Sequence, residues 1–131
     1  MTDDRATRRI FIAAALLIAF SIIVRAINHD EGQYVAAIAM MRGGWPYLDF
    51  SYLQTPLQPL LLSPLSLLPA GWLLVAARCA NGLFALATLA LVYRAVRDRL
   101  EPGSAIVAVA AFACTEAFLL ASSLARNDAL P

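Results

Sequence analysis

The sequence predicts an all-α membrane protein, and three observations predict it. Of 131 residues, 61% are hydrophobic and 15% charged, and the mean hydropathy of +0.71 is too high for a domain dissolved in water. Three stretches, residues 10–27, 72–93 and 104–124, are apolar over about the length that a hydrocarbon core of roughly 30 Å requires. Arginines crowd the start of the first stretch and the end of the second, the asymmetry that orients membrane proteins. The net charge is only +1, so no nucleic-acid partner is expected. Cys79 and Cys114 both fall inside apolar stretches and read as small apolar side chains, not as a disulfide.

Met1 to Arg9 is polar and carries Arg5, Arg8 and Arg9; Ile10 to Val24 is almost unbroken apolar sequence. The segment extends to Ile27 through Arg25, whose charge can snorkel to the interface. A cleaved signal peptide also has a basic start and an apolar core, but Ala-x-Ala does not follow Val24, so a retained anchor is expected. The basic start places the N-terminus in the cytoplasm and His29, Asp30 and Glu31 outside.

The stretch Asn28 to Tyr34 holds adjacent carboxylates in a chain that has few. Adjacent acids repel, and must stay wet or meet something positive. At a helix mouth that is a metal, the counter-ion of a phosphate or a reacting hydroxyl. Asp30, with Gln33 three residues on, also predicts a capping box opening a helix; the two readings are compatible. That helix runs from Glu31 to Arg42 and stops at Gly43-Gly44. Tyr34, Ile38 and Met41 share one face, with Gln33, Ala36 and Ala37 opposite. It is too short to cross a bilayer and suited to lie on it.

Trp45 and Tyr47 suit headgroup depth, Asp49 adds a third outer carboxylate, and residues 51–56 read as an extended loop. Residues 56–68 are apolar but short and broken by Pro59 and Pro64, so a second interfacial or re-entrant helix is predicted there. A full-length span then runs from Trp72 to Tyr93 and ends in Arg94, Arg97 and Arg99, which belong in the cytoplasm. Glu101-Pro102-Gly103 turns the chain, and the third span carries it back so that Arg126 and Asp128 emerge beside Asp30. Three spans and two interfacial helices thus gather the exposed carboxylates on one face. Arg78 and Glu116 lie inside spans, each about 12 Å below the outer surface. An unpaired charge there costs about 3 kcal/mol, so they are expected to pair with each other or to face helices outside this chain.

The order of these features resembles the N-terminal part of the polytopic C-type glycosyltransferases, which include protein O-mannosyltransferases and aminoarabinose transferases. The shared order is a basic tail, a span, Asp-Glu, a short helix ending in Gly, Pro-Tyr, aromatic-x-Gln-x-Pro, Ala-Ala-Arg entering a span and Arg-Asn-Asp closing the next. It covers nearly the whole chain. The resemblance implies a single polytopic domain of which residues 1–131 form the N-terminal part. It implies an enzyme of the inner (plasma) membrane that passes a sugar from a polyprenyl-phosphate carrier to a glycan, lipid or protein acceptor on the outer side of the cell envelope. Asp30 then resembles the acidic residue that acts as general base or positions the acceptor, with Glu31 its companion in a catalytic pair. Asp128 resembles the second acidic motif near the carrier phosphate, often with a divalent metal, and Arg126 is a candidate for neutralising the same phosphate.

One departure stands out. Some relatives carry an acidic residue and a lysine where this chain has Gln54 and Thr55, a poor metal ligand and an uncharged side chain. A metal would then rely on Asp128 and His29, although a lone histidine beside a helix start is more often polar surface. Relatives continue through further spans, so the chain is expected to be part of a longer enzyme. The competing expectation is a small non-catalytic membrane protein, an assembly subunit or a remnant.

Overall fold

The computed structural model describes residues 2–126, with side chains from residue 5 onward. Among the described residues the regular elements are all helical: α1 Thr2–Val24, α2 Glu31–Met40, α3 Leu57–Leu61, a 3₁₀ helix Ser63–Leu67, α4 Ala70–Arg97, α5 Pro102–Ala113 and α6 Glu116–Ser123. Among the described residues two helices are long and apolar enough to cross a membrane, α1 over Arg5–Val24 and α4; the α5–α6 pair makes a third if its two bent halves count as one. Outside the core, Leu16, Phe20, Ile23, Leu83, Leu91 and Val107 stand exposed, an apolar exterior that suits lipid better than water.

The lower storey is a bundle of α1, α4, α5 and α6 around Ala14, Ile18, Ala85, Leu89, Val109, Ala113 and Phe118. Helices α1 and α4 run antiparallel. Thr7 Oγ1 lies 3.1 Å from Tyr93 Oη, the ring of Phe11 meets Tyr93 edge-on at 6.0 Å, and Ile18 and Ile22 flank Gly82. That register carries Arg5, Arg8 and Arg9 to the same end of the bundle as Arg94 and Arg97, and the acidic stretch after α1 to the other. The upper storey is α2, α3 and the 3₁₀ helix set on the first turns of α4, through Ile38, Leu62, Leu73, Ala77 and Ala125.

Three expectations need correction. The apolar run of residues 104–124 is not one straight helix: it breaks at Cys114-Thr115 and turns by 63°. Thr115 caps the second half, accepting from Phe118 N at 3.3 Å while donating to Phe112 O at 2.8 Å. A threonine inside an apolar run gives the backbone this alternative partner. The predicted helix over 56–68 is two short pieces, because Pro64 opens a fresh turn. Ala37, assigned to the open face of α2, is buried with Tyr34 and Tyr52.

Gly82 sets the spacing of the bundle. A Cβ there would sit 3.0 Å from Ile18 Cγ2, 3.2 Å from Ile22 Cδ1 and 3.6 Å from Ser122 O. Alanine would ask the Ile22 end and the stiffer Ile18 branch methyl each to give by a few tenths of an ångström. Gly82→Val should force the helices apart, costing about 1–3 kcal/mol, readable as a lower unfolding midpoint in detergent.

Candidate functional site

The upper end of the bundle is tied together by one buried ion pair. Arg78, on α4, reaches Glu31 at the start of α2 through Nε to Oε1 at 2.8 Å and Nη2 to Oε2 at 2.7 Å. Its remaining donors go to the end of α1: Nη1 to Ile22 O and Arg25 O, both at 3.0 Å, and Nη2 to Ala26 O at 3.2 Å. All five guanidinium N–H groups are thereby used. They close off the negative end of a helix whose last carbonyls have no partner of their own. A lysine could not span this set.

Glu31 is equally saturated. Its side chain is wholly buried, and besides Arg78 it accepts the Ala125 N–H on Oε1 at 2.7 Å and the Asn28 N–H on Oε2 at 2.8 Å. Burial alone would push this carboxyl up. The hydrogen bonds from Arg78, Ala125 and Asn28 and the guanidinium charge together outweigh burial and hold it below its ordinary range. Of the two expectations for Arg78, a pair with Glu116 or a face turned to helices outside this chain, the pair with Glu116 does not form. The bend at Thr115 leaves Glu116 exposed on α6, and Glu31 takes the arginine instead.

A second buried side chain of α4 holds the exit of α6. Asn81 Nδ2 donates to Leu124 O at 2.7 Å and to Arg126 O at 2.6 Å. These bonds and the Glu31–Ala125 bond bring Arg126 to the start of α2, where its Nη1 lies 3.5 Å from Asp30 Oδ2.

Asp30 differs from its neighbour. It begins α2, but its side chain makes no cap hydrogen bond, so the expected capping box with Gln33 does not form. The turn is made by Asn28 instead, whose Oδ1 accepts Asp30 N at 2.9 Å, an Asx turn. Glu31 reaches back to the Asn28 N–H and completes it. Asp30 is left 41% exposed, facing Arg126 on one side and His29 Nδ1 at 3.1 Å on the other.

The other expected residues lie elsewhere. Asp128 falls outside the described residues. Asp49 caps a loop turn through Trp45 N at 2.7 Å, and Gly44 is needed there because a Cβ would come within 2.5 Å of Asp49 Cβ. Gln54 receives the Tyr47 hydroxyl on its backbone carbonyl. Among the described residues no three His, Cys, Asp or Glu side chains converge as a metal cluster. Asp30 and His29 would offer a cation two ligands with a guanidinium beside them. The described donors therefore do not fit a metal on their own, and no step is routed through one.

Asn81 is the functional candidate the sequence analysis missed. It stands three residues after Arg78 and hence on the same helical face, and that spacing of two polar residues in an apolar span was the available signal. Comparison of the chain with known families, with characterised proteins and with solved structures finds no match.

Proposed function

We propose that this chain belongs to a membrane glycosyltransferase that moves a sugar from a polyprenyl-phosphate carrier to an acceptor on the extracytoplasmic side. In this reading α1, α4 and the bent α5–α6 pair each cross the inner membrane, and α2, α3 and the 3₁₀ helix lie at its outer surface. The arginine-rich end faces the cytoplasm. The observation that carries the reading is the meeting of Asp30 with Arg126, 96 positions away in sequence, at 3.5 Å. The carboxylate there is left free of helix capping.

Asp30 is the general base. It takes the proton of the acceptor hydroxyl as that oxygen bonds to the anomeric carbon, while the bond from that carbon to the carrier phosphate breaks and its electrons leave with the phosphate. Arg126 meets the charge that grows on the leaving phosphate; Asp128, two residues on in the sequence, is proposed to share that task. Glu31 we assign to holding the site, since both its oxygens are already doubly hydrogen-bonded.

Orientation is tested with single cysteines at Ser51 and Ser104, both exposed, in a background without Cys79 and Cys114. An impermeant thiol reagent applied to intact cells should label Ser51→Cys and spare Ser104→Cys. The opposite pattern would invert the topology and put Asp30 in the cytoplasm.

A further inference from the structure

We infer that Asn81 is the positioning residue of Arg126, gripping the extended segment Leu124–Arg126 so that the guanidinium faces Asp30. The inference rests on the proposed glycosyl transfer for what Arg126 then does, and on geometry alone for how Arg126 is held.

The chain leaves α6 at Leu124, whose N–H makes a last helical bond to Leu120 O at 3.3 Å and whose φ −104° and ψ 146° are already extended. In extended backbone, the carbonyls of residues i and i+2 point to one side and the N–H of residue i+1 points to the other. Asn81 Nδ2 takes the carbonyls of Leu124 and Arg126 from one side, and Glu31 Oε1 takes the Ala125 N–H from the other. Three successive residues are thus clasped between two buried side chains, with Ala125 and Asn81 both fully enclosed. The amide orientation follows from its partners: turning it over would set Oδ1 against two carbonyl oxygens. Only a side chain with two N–H donors on one nitrogen and no charge can serve both carbonyls at this spot without a buried ion to neutralise.

The test has two arms on the protein in lipid nanodiscs. Hydrogen exchange of the peptide covering residues 119–126 reads the clasp directly. Asn81→Ala should speed exchange at Ala125 by about tenfold or more, and Asn81→Ser, which keeps one donor, should fall between it and the parent. Unchanged exchange in both variants would overturn the inference. The second arm titrates farnesyl phosphate as the probe. Arg126→Gln and Asn81→Ala should each weaken binding roughly tenfold, and the double variant should bind no worse than either. Additive losses would show that Asn81 does not act through Arg126, and would equally overturn it. A parent protein that binds no prenyl phosphate removes the glycosyl-transfer reading, and the exchange arm alone then decides the role of Asn81.

Discussion

Replacing Glu31 by glutamine or Arg78 by methionine is expected to destabilise the protein by about 3–5 kcal/mol, the cost of stranding one member of a buried ion pair. The pair joins α1, α2, α4 and the exit of α6, so the loss should be felt across the upper storey. Making both changes together should cost less than the sum of the two, because no uncompensated charge is left behind. Arg78→Lys should also fail, since a single ammonium cannot replace a bidentate contact plus three carbonyl contacts. The unfolding midpoint in mixed micelles, followed against denaturant, reads all four variants; additive losses would show that the two groups act independently. The same pair sets a pH signature. Glu31 titrates below its ordinary value of 4.5, so the unfolded chain binds the proton more readily. The stabilisation is complete above that value and drains away as pH falls through the folded pKa. Glu31→Gln should lack this acid limb.

Asp30→Asn is expected to lower the rate of sugar transfer by about 10² to 10⁴, the usual worth of a general base, with little change in stability. The separation is clean because the Asp30 carboxylate makes no cap hydrogen bond. Its contacts with Arg126 and His29 are partly exposed and of the kind worth roughly 0–1 kcal/mol. Even Asp30→Ala should melt close to the parent, which the expected capping box would not have allowed. The measurement pairs a single-turnover transfer rate with a melting curve for each variant. An Asp30→Asn protein that transfers sugar as fast as the parent would remove the base from the mechanism. Equal loss of rate and stability would return Asp30 to a structural role.

The helical class and the two long apolar helices were legible because apolar runs of sufficient length leave the backbone one way to satisfy itself in lipid. The bend at Thr115 was less so: its cause is a single hydroxyl choosing a local partner, and hydropathy does not register that choice. The charged partners were harder still. Depth along a helix brought Arg78 level with Glu116, but which carboxylate it meets depends on rotation about the helix axis and on that bend. The pairing with Glu31, 47 positions away, is a consequence of packing. Adjacent Asp30 and Glu31 looked like one acidic site; helix geometry turns consecutive residues about 100° apart. One therefore points into the bundle and the other out of it.

Sugar transfer itself is the most direct measurement. The protein, reconstituted in nanodiscs with a polyprenyl-phosphate sugar labelled in the sugar, should release the unglycosylated carrier phosphate and pass label to an envelope-derived acceptor, and Arg126→Gln should slow that release. A parent protein that neither binds nor turns over any polyprenyl-phosphate sugar, while remaining folded with its Glu31–Arg78 pair intact, would contradict the assignment and leave a membrane scaffold without this chemistry.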